Sequence, residues 1–332
     1  MNITIGGYYG FGNLGDEETL RLLARDIKNE YPDAKIKVLS RTDYSFAKTI
    51  NRNSPGEIKK ALGEADVFIL GGGTLIQDTT SIRSLFYYCE LIKLAHRMGC
   101  KVMMLGCGIG PLKHTKYAAE ALELCSYISV RDKYSSNLLT EMGISHTISA
   151  DRVLSREPLS YSGRGRYFTV SLRKCRTGAS LDLEALYDGL YPYINSGLLP
   201  IYVSMQDSFD REICEAAAKI TGGRVISPRG FDELLQLQRG AKFAVGMRLH
   251  YLISAALAGC PALSLEYDPK CRALDFPSCS ATRLVPHVIT EKIEALTPAK
   301  IPTNAADLCR DDILAIGKKS ARAVENRRQC LK

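Results

Sequence analysis

Residues 240–270, GAKFAVGMRLHYLISAALAGCPALSLEYDPK, carry the pattern that decides the fold. A short apolar run at Phe243–Val245 is followed by a Gly-Met turn, and apolar residues then recur at helical spacing until Gly259. A second apolar run follows at Pro261–Leu265. The stretch therefore predicts strand, turn, helix and strand, the repeating unit of a parallel sheet that is covered by helices.

Two compact charged groups stand at the start of the predicted helix. Arg248 and His250 lie in its first turn, where backbone N–H groups lack partners and the macrodipole is positive. A guanidinium and an imidazole placed there predict a phosphate or carboxylate ligand. Two solvated surface residues would explain this stretch alone equally well.

The rest of the chain repeats the alternation of strands and helices. The glycine-rich turn GGYYGFGNLGDE follows the first predicted strand at Asn2–Tyr8, and Gly71–Thr74 follows an apolar strand at Asp66–Leu70. The Ser-Pro-Gly-Glu sequence that begins at Ser54 predicts a capping box. Arg131 directly follows another strand, at the edge where open α/β sheets bind ligands. It is either half of an Arg–Asp ion pair at a helix start or a substrate contact.

A chain of 332 residues is too long for one hydrophobic core, so two domains are expected. The internal order of helix, strand and glycine turn before ADVFILGGGTL recurs before AKFAVGMRL, which indicates two similar α/β halves. Polar, aperiodic sequence separates them. We predict an N-terminal Rossmann-like domain at 1–155, a linker at 156–166, a second Rossmann-like domain at 167–300, and a C-terminal helix with a basic tail at 301–332.

The charge balance favours anionic ligands without indicating nucleic acid. Lys and Arg number 44 against 36 Asp and Glu, a formal net charge of +8. Residues 310–332 hold seven of the cations and three of the anions, so the tail contributes 7 − 3 = +4. A solvated helix face explains the tail most simply, and contact with acidic lipid headgroups is the alternative. No basic stripe is interleaved with aromatic residues, which argues against nucleic acid.

Hydropathy and cysteine usage predict a cytoplasmic protein. The N-terminal sequence MNITIGGYYG lacks the basic and apolar regions of a signal peptide, and no run of eighteen apolar residues occurs. The 11 cysteines are scattered and form no CxxC pair, a pattern typical of reduced, buried cysteines. The same absence of paired ligands predicts no metal site.

Four stretches together resemble one known family. These are GMRLHYLISAALAGCPALSLEYDPK, the GFGNLGD sequence ending at Asp16, GGGTLIQD and SVRDKYS, and all are similar to motifs of the polysaccharide pyruvyl transferases. The resemblance spans roughly residues 2 to 275 and is strongest to the bacterial cell-wall branch, whose polymer anchors the S-layer. One departure is Arg152, because the family commonly has Pro after Ala-Asp, and this weakens any role for Asp151.

The resemblance implies a fold and a reaction. The fold would be the glycosyltransferase B-type architecture, two Rossmann-like domains that face a cleft. The reaction would transfer pyruvate from phosphoenolpyruvate, as co-substrate, to two hydroxyls of a sugar, forming a cyclic ketal and releasing phosphate. For the cell-wall branch the acceptor would be N-acetylmannosamine in a lipid-linked precursor at the inner membrane face, which implies peripheral contact with that membrane.

The same resemblance, with the residue chemistry, suggests which side chains take part. We expect phosphoenolpyruvate to bind Arg173, Arg248, Leu249, His250 and Lys270, because Arg forks suit a phosphate and a carboxylate. The acceptor residues implied by the family's glycine loop, triple glycine and SVRD motif are Gly12, Asn13, Asp16, Gly72, Gly73, Thr74 and Arg131.

His250 and Arg248 are the expected catalytic residues, and no metal or cofactor is expected. His250 would move protons during addition and ketal closure, or else only hydrogen-bond the phosphate. Two other functions stay open. One is a nucleotide-sugar glycosyltransferase of the same architecture, and the other is a non-enzymatic domain that senses phosphoenolpyruvate.

Overall fold

A computed structural model describes residues 1–79, 81–174, 181–267 and 274–330, with side chains to residue 317. The chain divides into two compact units. The first comprises 1–11, 16–155 and 303–332, and the second comprises 12–15 and 156–302.

The first unit is built on a parallel sheet. In the described chain its strands run in the order β3-β2-β1-β4-β6-β7-β8, and β5 pairs with β6 off this path. The strands are β1 (Asn2–Gly6), β2 (Lys35–Ser40), β3 (Lys48–Asn51), β4 (Val67–Gly71), β5 (Thr74–Ile76), β6 (Lys101–Ile109), β7 (Tyr127–Val130) and β8 (Thr147–Ile148).

Helices cover both faces of this sheet and bury continuous apolar strands such as β4, in which all five residues are inaccessible. They are α1 (Leu14–Glu30), α2 (Pro55–Gly63), α3 (Ile82–Arg97), α4 (Thr115–Leu122) and α5 (Lys133–Glu141), and a 3₁₀ helix follows at Arg152–Ser155. The C-terminal helix α11 (Ala305–Cys330) belongs to this unit, and its Ile313 and Ile316 lie in the apolar cluster of β1 and α1.

The second unit repeats the plan with a parallel sheet in the order β11-β10-β9-β12-β13-β14 among its described residues. Its strands are β9 (Tyr167–Ser171), β10 (Leu199–Val203), β11 (Arg224–Ile226), β12 (Ala244–Gly246), β13 (Ala262–Glu266) and β14 (Ser278–Ser280). Its helices are α6 (Leu183–Asn195), α7 (Asp207–Thr221), α8 (Phe231–Gly240), α9 (Leu249–Leu257) and α10 (Pro286–Glu294).

Both sheets follow the Rossmann order. Numbered within each unit, and leaving β5 aside, the central strands run 3-2-1-4-5-6. The order reverses between β1 and β4 in the first unit and between β9 and β12 in the second. These two switch points are where ligands of doubly wound folds bind, and they position both sets of residues described below.

The periodicity located most elements within two or three residues. The strands predicted at Asp66–Leu70 and Pro261–Leu265 are each shifted by one residue in β4 and β13. Half of the predicted capping box forms: the Ser54 side chain accepts a hydrogen bond from Glu57 N, but Glu57 Oε2 accepts from Asn51 N. The short strands β3, β5, β8 and β14 were not predicted. Each has two to four residues, which is too short for a hydrophobic period to be visible.

The segment 156–166, which we predicted as a linker, packs against the second unit. Leu159 N donates to Leu257 O at 2.7 Å, and the Tyr161 hydroxyl donates to Ala241 O at 2.9 Å. Part of its backbone is hydrogen-bonded to this unit, so the aperiodic sequence corresponds to an irregular segment with fixed contacts.

Seven of the eight cysteines whose side chains are described are buried and Cys125 is half-buried; all eight are free thiols. No helix in the described chain is both long and apolar enough to cross a membrane. The basic side chains from Lys318 onward, for which we left open a solvated helix face or contact with acidic lipid, lie outside the described side chains.

Arg152 links the end of the first sheet to α11. Its side chain is 4% exposed, and it donates to Asp26 Oδ2 at 2.9 Å and to Cys309 O at 3.3 Å. Asp312 lies 3.8 Å away and accepts from Ser149 Oγ at 2.8 Å. Burial raises the pKa of the Asp312 carboxyl, although Arg152 opposes that rise. The residue that replaces the family's usual Pro is therefore a structural contact.

We expect Arg152→Ala to lower the free energy of unfolding by about 3–5 kcal/mol, the usual cost of leaving a buried carboxylate without its cation. Urea unfolding followed by circular dichroism would measure it. Arg83→Ala, on the exposed side of α3, is the control and should leave the transition unchanged. An Arg152→Ala transition that coincides with the wild-type one would show that Arg152 does not hold α11.

Candidate functional site

Two of the predicted arginines follow neighbouring strands at equivalent positions in the strand register. β9 and β12 pair in parallel, with Ser171 opposite Gly246. Arg173 and Arg248 each come two residues after this pair, so both lie at the carboxyl edge of the sheet. This edge is the switch point of the second unit.

Arg248 is buried and bound to a carboxylate that the sequence had not indicated. Its Nε donates to Asp210 Oδ2 at 3.1 Å and its Nη2 donates to Asp210 Oδ1 at 2.5 Å. The side chains are 8% and 0% exposed. A guanidinium has five N–H donors in one plane. This two-point contact therefore directs the edge that carries Nη1 away from Asp210.

Asp210 is itself fixed by the turn before α7. Its Oδ2 accepts the backbone N–H groups of Met205 at 3.2 Å and of Gln206 at 3.0 Å. Burial raises the pKa of the Asp210 carboxyl, and Arg248 and Arg173 oppose the rise by favouring the charged form. The carboxylate thus joins the start of α7 to the start of α9.

Arg173 is held by the residue next to Asp210. Its guanidinium carbon lies 5.8 Å from the ring centroids of both Phe209 and Tyr267, and its Nη1 donates to the Tyr267 hydroxyl at 3.3 Å. Arg173 is half-buried. Two consecutive residues of α7, Phe209 and Asp210, therefore position the two arginines.

His250 is the second residue of α9 and is 8% exposed. Arg248, at the N-cap of that helix, makes no side-chain hydrogen bond to the helix backbone. The side chain at the N-cap therefore does not cap this first turn, and the start of a helix is suited to an anion. Lys270, the remaining predicted contact on this side, lies outside the described residues.

The short stretch Gly12–Gly15 groups with the second unit and approaches His250. A Cβ placed on Gly15 would lie 2.1 Å from His250 Nδ1, a distance that no real Cβ tolerates. Only glycine fits beside the imidazole in this arrangement. Gly12 and Asn13, predicted as acceptor residues, belong to the same stretch.

The other predicted acceptor residues meet at the switch point of the first unit. Gly72 and Gly73, directly after β4, have φ of +65° and +69°. A Cβ on Gly73 would lie 3.1 Å from Asp16 Oδ1. Arg131 Nη2 donates to Thr74 Oγ1 at 3.0 Å. The structure thus brings Asp16, both glycines, Thr74 and Arg131 together.

Arg131 forms an ion pair, but its main partner is not the neighbouring Asp132. Its Nη1 donates to Asp151 Oδ2 at 2.7 Å, whereas Asp132 lies 3.9 Å away. Asp132 instead caps α5 by accepting from Ser135 N at 2.8 Å. Arg131 Nε has no hydrogen-bond partner within the described chain. The Ala-Asp motif, whose role Arg152 put in doubt, therefore holds the arginine of the first unit.

The match to known protein families decides the classification. The family model named polysaccharide pyruvyl transferase matches residues 13–269, a range that includes both arginine sites. The chain belongs to this family. Comparison with curated proteins gave no match.

Solved structures show the fold of this pyruvyl transferase family member. The UDP-GlcNAc 2-epimerase from Methanocaldococcus jannaschii is 12% identical, with a TM-score of 0.64 over 96% of this chain and 100% of that one. A putative UDP-N-acetylglucosamine 2-epimerase from Listeria monocytogenes is 10% identical, with a TM-score of 0.65 over 95% of each chain. An alpha-glucosyltransferase bound to UDP and DNA is 11% identical, with a TM-score of 0.53 over 93% of this chain and 94% of that one. The fold is glycosyltransferase B-like.

Sequence reasoning missed Phe209, Asp210 and Tyr267. Asp210 stands four residues after Gln206, in the first turn of α7, where an acidic residue ordinarily complements the macrodipole in solvent. Nothing in QDSFDRE shows that this residue is buried or that it faces Arg248. In the described chain no three His, Cys, Asp or Glu side chains are grouped as a metal ion would need.

We expect Asp210→Asn to lower the free energy of unfolding by about 3–5 kcal/mol, because a buried guanidinium loses its counter-charge while the side-chain volume is kept. Chemical denaturation would measure the change. Glu212→Gln is the matched control on the same helix, since Glu212 is 83% exposed and its partner Lys174 is 68% exposed. Equal stability of the two variants would contradict the structural role given to the pair.

Proposed function

We propose that the protein transfers pyruvate from phosphoenolpyruvate to two hydroxyls of a sugar in a polysaccharide precursor. The family supplies the reaction class, polysaccharide pyruvyl transfer. The observation that carries the donor is the pair of arginines at the switch point of the second unit, positioned by Phe209 and Asp210. Phosphoenolpyruvate has two anionic groups on a three-carbon frame, so it needs cations in fixed relative positions.

Charge favours this donor. Arg173 and Arg248 bring two positive charges and Asp210 removes one, so the three side chains together carry +1. The start of α9 adds the partial positive charge of a helix N-terminus. In the proposed complex Arg173, half-buried between two rings, takes one anionic group, and the outward edge of Arg248 with the α9 N–H groups takes the other. Lys270 is proposed to join them.

The proposed chemistry has two additions at C2 of the donor. C3 accepts a proton while the first sugar hydroxyl adds to C2 and loses its own proton. Phosphate then leaves with the C–O bond electrons, and the second hydroxyl adds to the same carbon to close the ketal. His250, beside Arg248 on the first turn of α9, is proposed to move these protons.

The acceptor is proposed to bind the first unit. Asp16, Thr74 and Arg131 bring a carboxylate, a hydroxyl and a guanidinium together beside Gly72 and Gly73, and such groups can hydrogen-bond sugar hydroxyls. We assign N-acetylmannosamine in a lipid-linked cell-wall precursor as the acceptor, on resemblance to the cell-wall branch. Work on such a precursor would place the protein at the inner membrane face.

The direct test is incubation with phosphoenolpyruvate and a panel of N-acetylhexosamine glycosides, with lipid-linked forms included. We expect acceptor-dependent phosphate release and a product heavier than the acceptor by one ketal-linked pyruvyl group. UDP-GlcNAc is the rival donor. Its consumption with glycoside formation, and no phosphate from phosphoenolpyruvate with any acceptor, would replace this function with glycosyl transfer.

Variants of His250 separate proton transfer from binding. His250→Ala and His250→Asn should both lower kcat about a hundredfold or more, because asparagine cannot titrate, with a smaller change in the dissociation constant of phosphoenolpyruvate. Steady-state kinetics at saturating acceptor and calorimetry of donor binding would measure these. Near-normal kcat in His250→Asn would make His250 a phosphate-binding residue.

Arg173→Ala provides the complementary case, in which binding should fail. We expect the affinity for phosphoenolpyruvate to fall by about 2–4 kcal/mol, the usual cost of removing one member of a desolvated charge pair. Calorimetry would measure it, with Lys219→Ala on the exposed end of α7 as control. Wild-type affinity in Arg173→Ala would remove this residue from the donor site.

A further inference from the structure

The first unit has a polar groove beside the predicted acceptor residues that none of the roles above uses. Its volume is about 500 Å³, and its lining includes Arg41, Asp43, Thr49, Asn51, Asn53 and Glu57. These residues follow β2, lie in β3 or begin α2. The groove therefore opens at the carboxyl edge of β2 and β3, the ligand-binding edge of such a sheet. Its volume lies within the range of small-molecule sites.

The cation in the groove is held in place. Arg41 lies with its guanidinium carbon 4.5 Å from the centroid of the Phe11 ring, and Phe11 stacks on Tyr8 at 4.2 Å with an interplanar angle of 1°. Arg52 lies 4.7 Å from the same centroid. Phe11 already contacts Tyr8 and both arginines. Its ring therefore positions Arg41 and is not assigned to stacking on a ligand.

Hydrogen bonds between backbone groups and side chains connect the walls of the groove. Asn53 N donates to Asn51 Oδ1 at 3.0 Å, and Asn51 N donates to Glu57 Oε2 at 3.3 Å. Thr49 Oγ1 donates to Thr42 O at 3.4 Å. These contacts join β3 to the start of α2 and to the loop after β2, and the lining side chains of Arg41, Asp43, Asn51, Asn53 and Glu57 are themselves exposed.

Charge and group chemistry decide the class of ligand. The lining holds one guanidinium against the carboxylates of Asp43 and Glu57, a sum of −1, which disfavours a phosphate or diphosphate. The side-chain amides of Asn51 and Asn53 bring both donors and acceptors to the groove. This set suits the hydroxyl and acetamido groups of a neutral sugar.

The groove is connected to the acceptor residues through Glu17, the neighbour of Asp16. Glu17 Oε1 accepts from Gly10 N at 2.8 Å, and Oε2 accepts from the Tyr44 hydroxyl at 2.5 Å. A Cβ on Gly10 would lie 2.5 Å from Arg41 N, so the glycine loop lies against the groove wall. β2 and β4 are two strand spacings apart, roughly 10 Å. This separation is longer than one pyranose ring, so a ligand that reaches from the acceptor residues to the groove needs more than one sugar residue.

We propose that this groove is a second sugar subsite, which binds a neutral residue next to the one that is pyruvylated. The proposal rests on the proposed function, because only that function assigns the neighbouring residues to the acceptor. Under this proposal the protein recognises at least two sugar residues, and its specificity residues are Arg41, Asp43 and Asn53.

Direct binding tests the subsite without catalysis. Saturation-transfer NMR on the full chain, with no phosphoenolpyruvate, would compare a methyl glycoside of one N-acetylhexosamine with that of a disaccharide of two. Asp43→Ala and Asn53→Ala should each weaken disaccharide binding about five- to tenfold, the loss of roughly one hydrogen bond. Binding of the monosaccharide should stay within about twofold.

A matched control is available in the second unit. Gln236 lines a polar groove of about 410 Å³, and Gln236→Ala should leave both ligands unaffected. Equal affinity of wild type for the two glycosides, equal losses for both in the variants, or displacement of the disaccharide by pyrophosphate would each overturn the subsite. Selective loss of the disaccharide in a protein that transfers no pyruvyl group would overturn the proposed reaction and leave the subsite standing.

Discussion

The buried ion pair between Asp210 and Arg248 is the interaction on which the proposed donor site depends. It joins the start of α7 to the start of α9 and fixes which edge of the guanidinium faces outward. Burying both charges costs several kcal/mol per ion before their attraction is counted, and apolar residues of equal volume often stabilise a protein as well. The pair is therefore better explained by the orientation it gives Arg248 than by stability.

The first unit has a similar buried Arg–Asp ion pair at its own switch point. Arg131 follows β7 and is held by the buried Asp151, as Arg248 follows β12 and is held by Asp210. In both cases a carboxylate from another part of the chain sets the direction of a strand-end arginine. The second unit differs because it adds the half-buried Arg173 near two aromatic rings, an extra positive charge that would suit the proposed anionic donor.

The sequence predicted the elements and the sheet edge well, because apolar periodicity and glycine turns are local signals. Arg173, Arg248 and His250 could be placed at one edge from their position after strands alone. Asp210 and Phe209 could not, since their roles depend on packing between helices far apart in sequence. The partner of Arg131 was missed for the same reason: the adjacent Asp132 is the obvious candidate, and only the tertiary structure brings Asp151 nearer. The groove at β2 and β3 was missed because β3 is four residues long.

The central claim is that phosphoenolpyruvate binds the arginines that Phe209 and Asp210 position. The most direct measurement is NMR of the arginine Nε–H groups in ¹⁵N-labelled protein, assigned with Arg→Lys variants and titrated with phosphoenolpyruvate. The account predicts saturable shifts of the Arg173 and Arg248 signals, with Arg248 Nε–H protected from exchange before and after by its bond to Asp210, and no such shifts with UDP-GlcNAc. Unshifted signals at saturating phosphoenolpyruvate, or shifts produced by UDP-GlcNAc instead, would contradict it.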